Sequence, residues 1–315
     1  MKKLGSFAIM VGLTALIATC KNREPPIQVL VTRTITDFPS ASAIEYDRER
    51  LYLFGDDAPY LLVLDTLLRE RDRIRISNDT AYRISKEVKP DIESVTLAIS
   101  AEQKELIAFG SWSSAARKTT FRFALPATDS FVATPYALPD LPAIREWNIE
   151  GAASFQKGVL LANRANTTSK DNHFLFFQAL TNSPDPSALT VIKAVLPTST
   201  LTTGLSGLYY EEATDLLLFT ASEEDTPNAM EDGAIGTSYL GWITDFSSKV
   251  DRRELQPEGW INLPLADAAF KGQKIESLCV AGRSGDDIIL FLASDNDNGQ
   301  SSVFKIALSL ARAAR

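Results

Sequence analysis

From residue 27 onward, short apolar runs alternate with polar clusters along almost the whole chain, and the period is that of β-strands. No amphipathic stretch of useful helical length interrupts them. Five segments share one order: a polar start, an apolar strand, a turn, a second apolar strand and a polar loop. They open at Ser42-Ala43-Ile44-Glu45, Ile92-Glu93-Ser94-Val95, Ile149-Glu150-Gly151-Ala152, Leu205-Ser206-Gly207-Leu208 and Ile275-Glu276-Ser277-Leu278. With Ser42, Glu93, Glu150, Ser206 and Glu276 as equivalent positions, the repeat recurs roughly every fifty to seventy residues.

A third strand is predicted in each repeat: Tyr60 to Leu64, Thr119 to Leu125, His173 to Leu180, Thr237 to Ile243 and Ser302 to Leu308. A fourth is readable in four repeats: Arg71 to Ile76, Ser130 to Leu138, Leu189 to Leu196 and Trp260 to Leu265. The last repeat lacks one, while Ile27 to Ile35 stands alone at the start. Giving that orphan strand to the last repeat closes a circle. The pattern therefore predicts an all-β fold: a β-propeller of five four-stranded blades over residues 27–308, with a tail at 309–315. The alternatives are a sixth blade inside the 244–275 connector and a pair of β-sandwiches.

Propeller topology gives the equivalent positions a location. The first strand of each blade lines the channel, and strands alternate in direction. The five equivalent residues therefore ring one channel mouth, and the polar loops after each second strand surround it. The expected ligand-binding residues are Glu93, Glu150, Glu276, Asn163, Arg164, Trp112 and Asp295. Converging carboxylates need a cation, a basic partner or a shared proton. Glu93, Glu150 and Glu276 are accordingly the candidate ligands for Ca²⁺, which favours all-oxygen sites. Ring residues that only bond the next blade's backbone are the architectural alternative. Arg164 is the one basic residue in these loops, and Glu150 with Arg164 are the catalytic candidates.

Charge and composition narrow the classes. The 315 residues carry a net charge of −8, which argues against sequence-independent binding to nucleic acid. A single histidine, His173, and two cysteines almost exclude a zinc site built from such residues. His173 reads as a surface or blade-packing residue, and Cys279, in an apolar strand, as a buried small hydrophobe. No P-loop, Gly-x-Ser-x-Gly or His-Glu-x-x-His pattern occurs.

The first residues read as an address. Lys2-Lys3 precede an uncharged, mostly apolar run from Leu4 to Thr19, which is short for a membrane span and suits a secretory signal peptide over 1–19. The run ends in Ile17-Ala18-Thr19-Cys20, which resembles a bacterial lipobox. Cys20 is thus expected to carry lipid on a tether of residues 20–26, giving an exported cell-envelope lipoprotein of the periplasm or outer membrane. A cleaved signal with an unmodified cysteine is the alternative.

The segment Asn148-Ile149-Glu150-Gly151-Ala152, followed by Asn163-Arg164-Ala165-Asn166, resembles the phytase-like, or esterase-like, β-propeller family. Ile275-Glu276-Ser277-Leu278 with Ser294-Asp295-Asn296-Asp297, and Ile92-Glu93-Ser94-Val95, repeat the pattern. The whole chain also resembles lipid-anchored propellers of Gram-negative bacteria. The resemblance implies ester or phosphoester hydrolysis with Ca²⁺. The scarcity of basic residues in the loops argues against a polyphosphorylated substrate. Two functions follow: a lipid-anchored module that binds a small molecule or a protein at the mouth, and a Ca²⁺-assisted hydrolase of small esters or phosphoesters with its site at the mouth.

Overall fold

A computed structural model describes residues 25–99, 103–178, 189–197, 199–228 and 233–313. The expected signal peptide, Cys20, most of the tether and the end of the tail lie outside the described residues. Within them the strands are β1 (Ile27–Ile35), β2 (Ala41–Asp47), β3 (Arg50–Gly55), β4 (Tyr60–Asp65), β5 (Glu70–Arg75), β6 (Ile92–Ile99) and β7 (Lys104–Gly110). They continue with β8 (Thr119–Ala124), β9 (Val132–Pro135), β10 (Ile149–Phe155), β11 (Gly158–Asn163), β12 (Asn172–Phe177), β13 (Leu189–Ala194) and β14 (Thr202–Glu211). The last are β15 (Leu216–Glu224), β16 (Ile235–Ile243), β17 (Glu254–Leu255), β18 (Gly259–Asn262), β19 (Ile275–Ser284), β20 (Asp287–Asp295) and β21 (Ser301–Leu308).

These form five sheets: β2 to β5, β6 to β9, β10 to β13, β14–β15–β16–β18, and β19–β20–β21–β1. The fold is a five-bladed β-propeller, and β1 completes the last blade by pairing antiparallel with β21 from Ile27 opposite Leu308 to Ile35 opposite Ser301. The 244–275 connector holds no sixth blade. It supplies β18, the outer strand of the fourth blade, and β17, which pairs parallel with the outer strand of the third. A four-residue helix, α1 (Leu263–Ala266), follows where a longer strand was expected, because Pro264 supplies no N–H to a ladder and Asn262 caps the turn.

Apolar side chains pack between neighbouring blades. Ile44, Leu53 and Leu62 of the first blade meet Phe291, Cys279 and Val303 of the last, and similar clusters fill the other junctions. Cys279 is a free, fully buried core residue.

Inner strands of neighbouring blades share no sheet, so small polar side chains link them. Ser42 Oγ donates to the Ile92 carbonyl and Ser206 Oγ to that of Ile275. Ser154 donates to Leu97 O at 2.6 Å. Asn172 joins the third blade to the fourth by donating to Thr203 O and accepting from Leu205 N. Ser301 closes the circle, accepting from Ala41 N and donating to Phe38 O. The blades also approach closely: a Cβ on Gly207 would lie 2.9 Å from Ser277 Cα and 3.1 Å from Glu276 O. Glycine is what that spacing allows.

Candidate functional site

The inner strand of every blade carries a β-bulge at the same place. The ladders shift register between Ala41 and Ala43, Ile92 and Ser94, Ile149 and Gly151, Leu205 and Gly207, and Ile275 and Ser277. The extra residues are Ser42, Glu93, Glu150, Ser206 and Glu276, the five positions that sequence equivalence singled out. A bulged residue leaves the ladder and its side chain is re-aimed. The two serines spend this freedom on the next blade's backbone, which makes them architectural. The three glutamates line a cavity of about 90 Å³ at the channel mouth, which Ser42 also borders.

Arg164, at the end of β11, lies among these carboxylates and is 5% exposed. Its Nη2 donates to Glu224 Oε2 at 2.9 Å and to Ser222 Oγ at 3.3 Å. Its Nη1 lies 3.6 Å from Glu276 Oε2 and 3.9 Å from Glu150 Oε2, ion-pair distances without a hydrogen bond. Its stem crosses Gly204, where a Cβ would stand 2.5 Å from Arg164 Cγ. Arg164 Nη1 and Glu276 Oε2 are both buried and have no hydrogen-bond partner.

Four further cations line the cavity with it, Lys86, Lys89, Arg117 and Lys274, contrary to the expectation of a lone arginine. Lys274 Nζ pairs with Glu276 at 3.0 Å and Glu224 at 3.3 Å. Lys89 pairs with Asp56 and, at 2.7 Å, with Asp91. Arg117 reaches Asp91 at 2.8 Å and is 3% exposed. Lys89 and Lys274 stand in the links that enter the inner strands, in Lys89-Pro90-Asp91-Ile92-Glu93 and Lys274-Ile275-Glu276, not in the loops that leave the second strands. A lysine just upstream of a ring glutamate was the available signal. Asp91, Asn148 and Thr226 also line the cavity and were not anticipated.

Burial raises Glu150 to about 8, and Glu276 and Glu224 add to that against the opposing pull of Arg164. Burial likewise lifts Asp295 to about 8, helped by Asp56 and Asp297. Glu93 is driven well up by burial and by its neighbours Asp91 and Glu150. Burial also opposes ionisation of Glu224, but Arg164 and Lys274 outweigh it and hold this carboxyl below its usual range. The cavity lining has eight carboxyl groups and five cations. Glu150 and Asp295, at about 8, keep their protons at neutral pH, which offsets part of the excess of carboxyl groups.

Glu93, Glu150, Glu276, Arg164 and Asp295 all border the cavity. Asn163 and Trp112 do not. Asn163 is fully buried, accepting from Asn148 N and donating to Glu146 O, so it braces the entry to β10. Trp112 is 2% exposed, packs edge-on against Tyr136 and donates its indole N–H to the Tyr136 carbonyl. Its apolar bulk was drawn into the blade junction. His173 pairs in the ladder of the third blade and is buried away from the cavity.

Arg164 and Lys274 already bring positive charge to two of the three ring glutamates, Glu150 and Glu276. Among the described residues, the carboxylates whose oxygens come within 4.8 Å of one another are Asp56, Asp91 and Glu93, and Lys89 pairs with two of these.

A family model matches residues 37–308. The chain belongs to the DUF6929 family, a family of unknown function. That match spans the propeller from just after β1 to the end of β21. No curated protein matches the chain. Among solved structures, the glutaminyl cyclase of Myxococcus xanthus is similar over 90% of this chain and 96% of its own, at 11% identity and a TM-score of 0.51. A GH43 β-1,3-galactosidase with galactodeoxynojirimycin covers 85% of this chain and 90% of its own, at 11% identity and a TM-score of 0.47. A streptogramin B lyase covers 89% and 87%, at 11% identity and a TM-score of 0.37. At 11% identity the likeness to the glutaminyl cyclase is one of fold, and propellers carry many functions.

Proposed function

We propose that this DUF6929 chain is an exported, lipid-anchored propeller whose channel mouth binds a small polar ligand. One observation carries the reading: Arg164 Nη1 and Glu276 Oε2, a donor and an acceptor, are buried and 3.6 Å apart at the cavity, an ion pair in which neither atom has a hydrogen-bond partner. Leaving such groups unpaired costs about 1–3 kcal/mol each, so a molecule or water that offers both an acceptor and a donor is favoured there. The cavity of about 90 Å³ suits a ligand of a few heavy atoms, since drug-sized sites start at about 300 Å³. A small zwitterion meets these demands, with its anionic end on Arg164 and its cationic end on Glu276.

The test is thermal unfolding against small amino acids, simple carboxylates, inorganic phosphate and Ca²⁺. A ligand at a hundredfold excess over its Kd stabilises by about 2.7 kcal/mol. The expected result is a rise with a zwitterion that is lost in Glu276→Gln. A rise with Ca²⁺ alone, lost in Glu93→Gln, would replace the zwitterion by the metal. No rise with any of them would overturn the reading.

A second reading is favoured by Glu150, which burial holds at about 8 beside Arg164. A carboxyl that keeps its proton at neutral pH can act as a general acid, and the guanidinium can stabilise developing negative charge. The phytase-like resemblance of Asn148-Ile149-Glu150-Gly151 points the same way, towards small esters or phosphoesters. Hydrolysis of chromogenic esters that disappears in Glu150→Gln would establish it. Lipid on Cys20 is read out by incorporation of labelled fatty acid, lost in Cys20→Ser. Among the described residues no helix is long and apolar enough to cross a membrane.

A further inference from the structure

The end of the propeller opposite the mouth carries a patch of the other sign. The turn after β2 presents Arg48 and Arg50, and two clefts of about 510 and 410 Å³ flank them. On the next turn of the same blade Leu67 is 55% exposed, while Leu68 beside it is fully buried. Arg33 donates to the Leu68 carbonyl and Lys305 to that of Thr66, so the loop is fixed with Leu67 facing out. Arg69 and Arg71 both reach Asp65, at 2.8 and 2.7 Å, and their side chains are 64% and 55% exposed. With Arg33, Lys305 and the Lys104 of the second cleft, seven cations stand against four carboxylates, Asp47, Glu49, Asp65 and Asp72, in a chain whose net charge is −8.

A leucine held outward among arginines suits an anionic lipid surface, which takes the apolar side chain between headgroups that pair with the cations. The chain enters the propeller on this same end, because Ile27 pairs with Leu308. From Cys20 to Ile27 it can span at most about 25 Å. We propose that this face of the first blade rests on an anionic phospholipid bilayer and turns the charged mouth away from it. The orientation rests on the reading that Cys20 carries lipid.

The full-length chain bearing Leu67→Cys with a polarity-sensitive dye is mixed with phosphatidylglycerol–phosphatidylethanolamine vesicles or with phosphatidylcholine vesicles, and flotation is measured alongside. The parent chain, treated identically, gives the background from other cysteines. The expected result is a blue shift on the anionic vesicles only, with no shift for a dye on Asp225→Cys, in the loop that leaves β15 on the mouth side. An arginine near an anionic surface contributes about fivefold to partitioning, so Arg48→Glu with Arg50→Glu should weaken the contact at least about 25-fold. Flotation without a shift at Leu67 overturns the orientation and leaves the anchor reading standing. An equal shift on neutral vesicles overturns the electrostatic basis, as a protein-docking patch would require. Absence of flotation on both vesicles overturns anchor and orientation together.

Discussion

Arg164 decides the electrostatics of the mouth. Arg164→Met would leave Glu224 without its 2.9 Å partner and remove the cation between Glu150 and Glu276. Breaking a buried pair from one side costs about 3–5 kcal/mol, and urea unfolding should show a loss of that size. The protonated carboxyls predict a pH dependence. Glu150 and Asp295 have folded values near 8 against ordinary values of 4.5 and 3.8. Between those limits the folded chain binds more protons than the unfolded one, so this contribution is complete at the acid end and is lost as pH rises towards 8. Melting temperature should fall from about pH 5 to about pH 8, and Glu150→Gln should flatten the slope; a parent that gains stability across that window would contradict the assignment. Glu150, Glu276 and Arg164 were legible in the sequence because they recur in, or directly follow, a repeated motif. Lys89 and Lys274 were missed although each stands just upstream of a ring glutamate, because the links that enter the inner strands were left out of the ring; nothing in a linear pattern brings Arg117, on a short turn, over the channel. Trp112 was misplaced for a related reason: position in a loop does not reveal which way a large apolar ring turns.

The element that organises the site is the bulged inner strand. One extra residue at the same place in each blade frees five side chains from the ladder, and their chemistry then divides the work. Ser206→Ala removes the 2.7 Å bond to Ile275 O and should cost about 1 kcal/mol by chemical denaturation without altering ligand response. Gly207→Ala should cost more, since the new methyl meets the backbone of the last blade. Equal stability of these two variants would mean that the junction relaxes freely. The strands themselves were legible because each buries one or both faces and so reads as a clean apolar run; β1 matched residue for residue. The outer strands were less so: the fourth strand expected over 130–138 is only Val132–Pro135, at an edge where few neighbours enforce pairing. The bulges left no mark, because the sequence around an unpaired residue looks like that of any strand.

At the scale of the whole molecule the ring is held shut by the pairing of its two ends. Removing residues 27–35 leaves β21 as a bare edge and uncovers Val303 and Phe291, so circular dichroism and protease resistance should report loss of the cooperative fold and not merely a frayed terminus. A shortened chain that melts like the parent would show that the clasp is dispensable. The circle was legible from a simple count, one repeat lacking a strand and one strand lacking a repeat. The same arrangement governs how the protein comes into being. Synthesis delivers Ile27–Ile35 first and Ser301–Leu308 almost last, so the earliest strand must wait, unpaired, through the making of nearly the whole polypeptide. Long-range pairing of this kind is slow and leaves strand edges exposed to neighbours in the meantime. A stop codon a few residues short of Leu308 should therefore leave the earliest strand without part of its partner at the very end of synthesis.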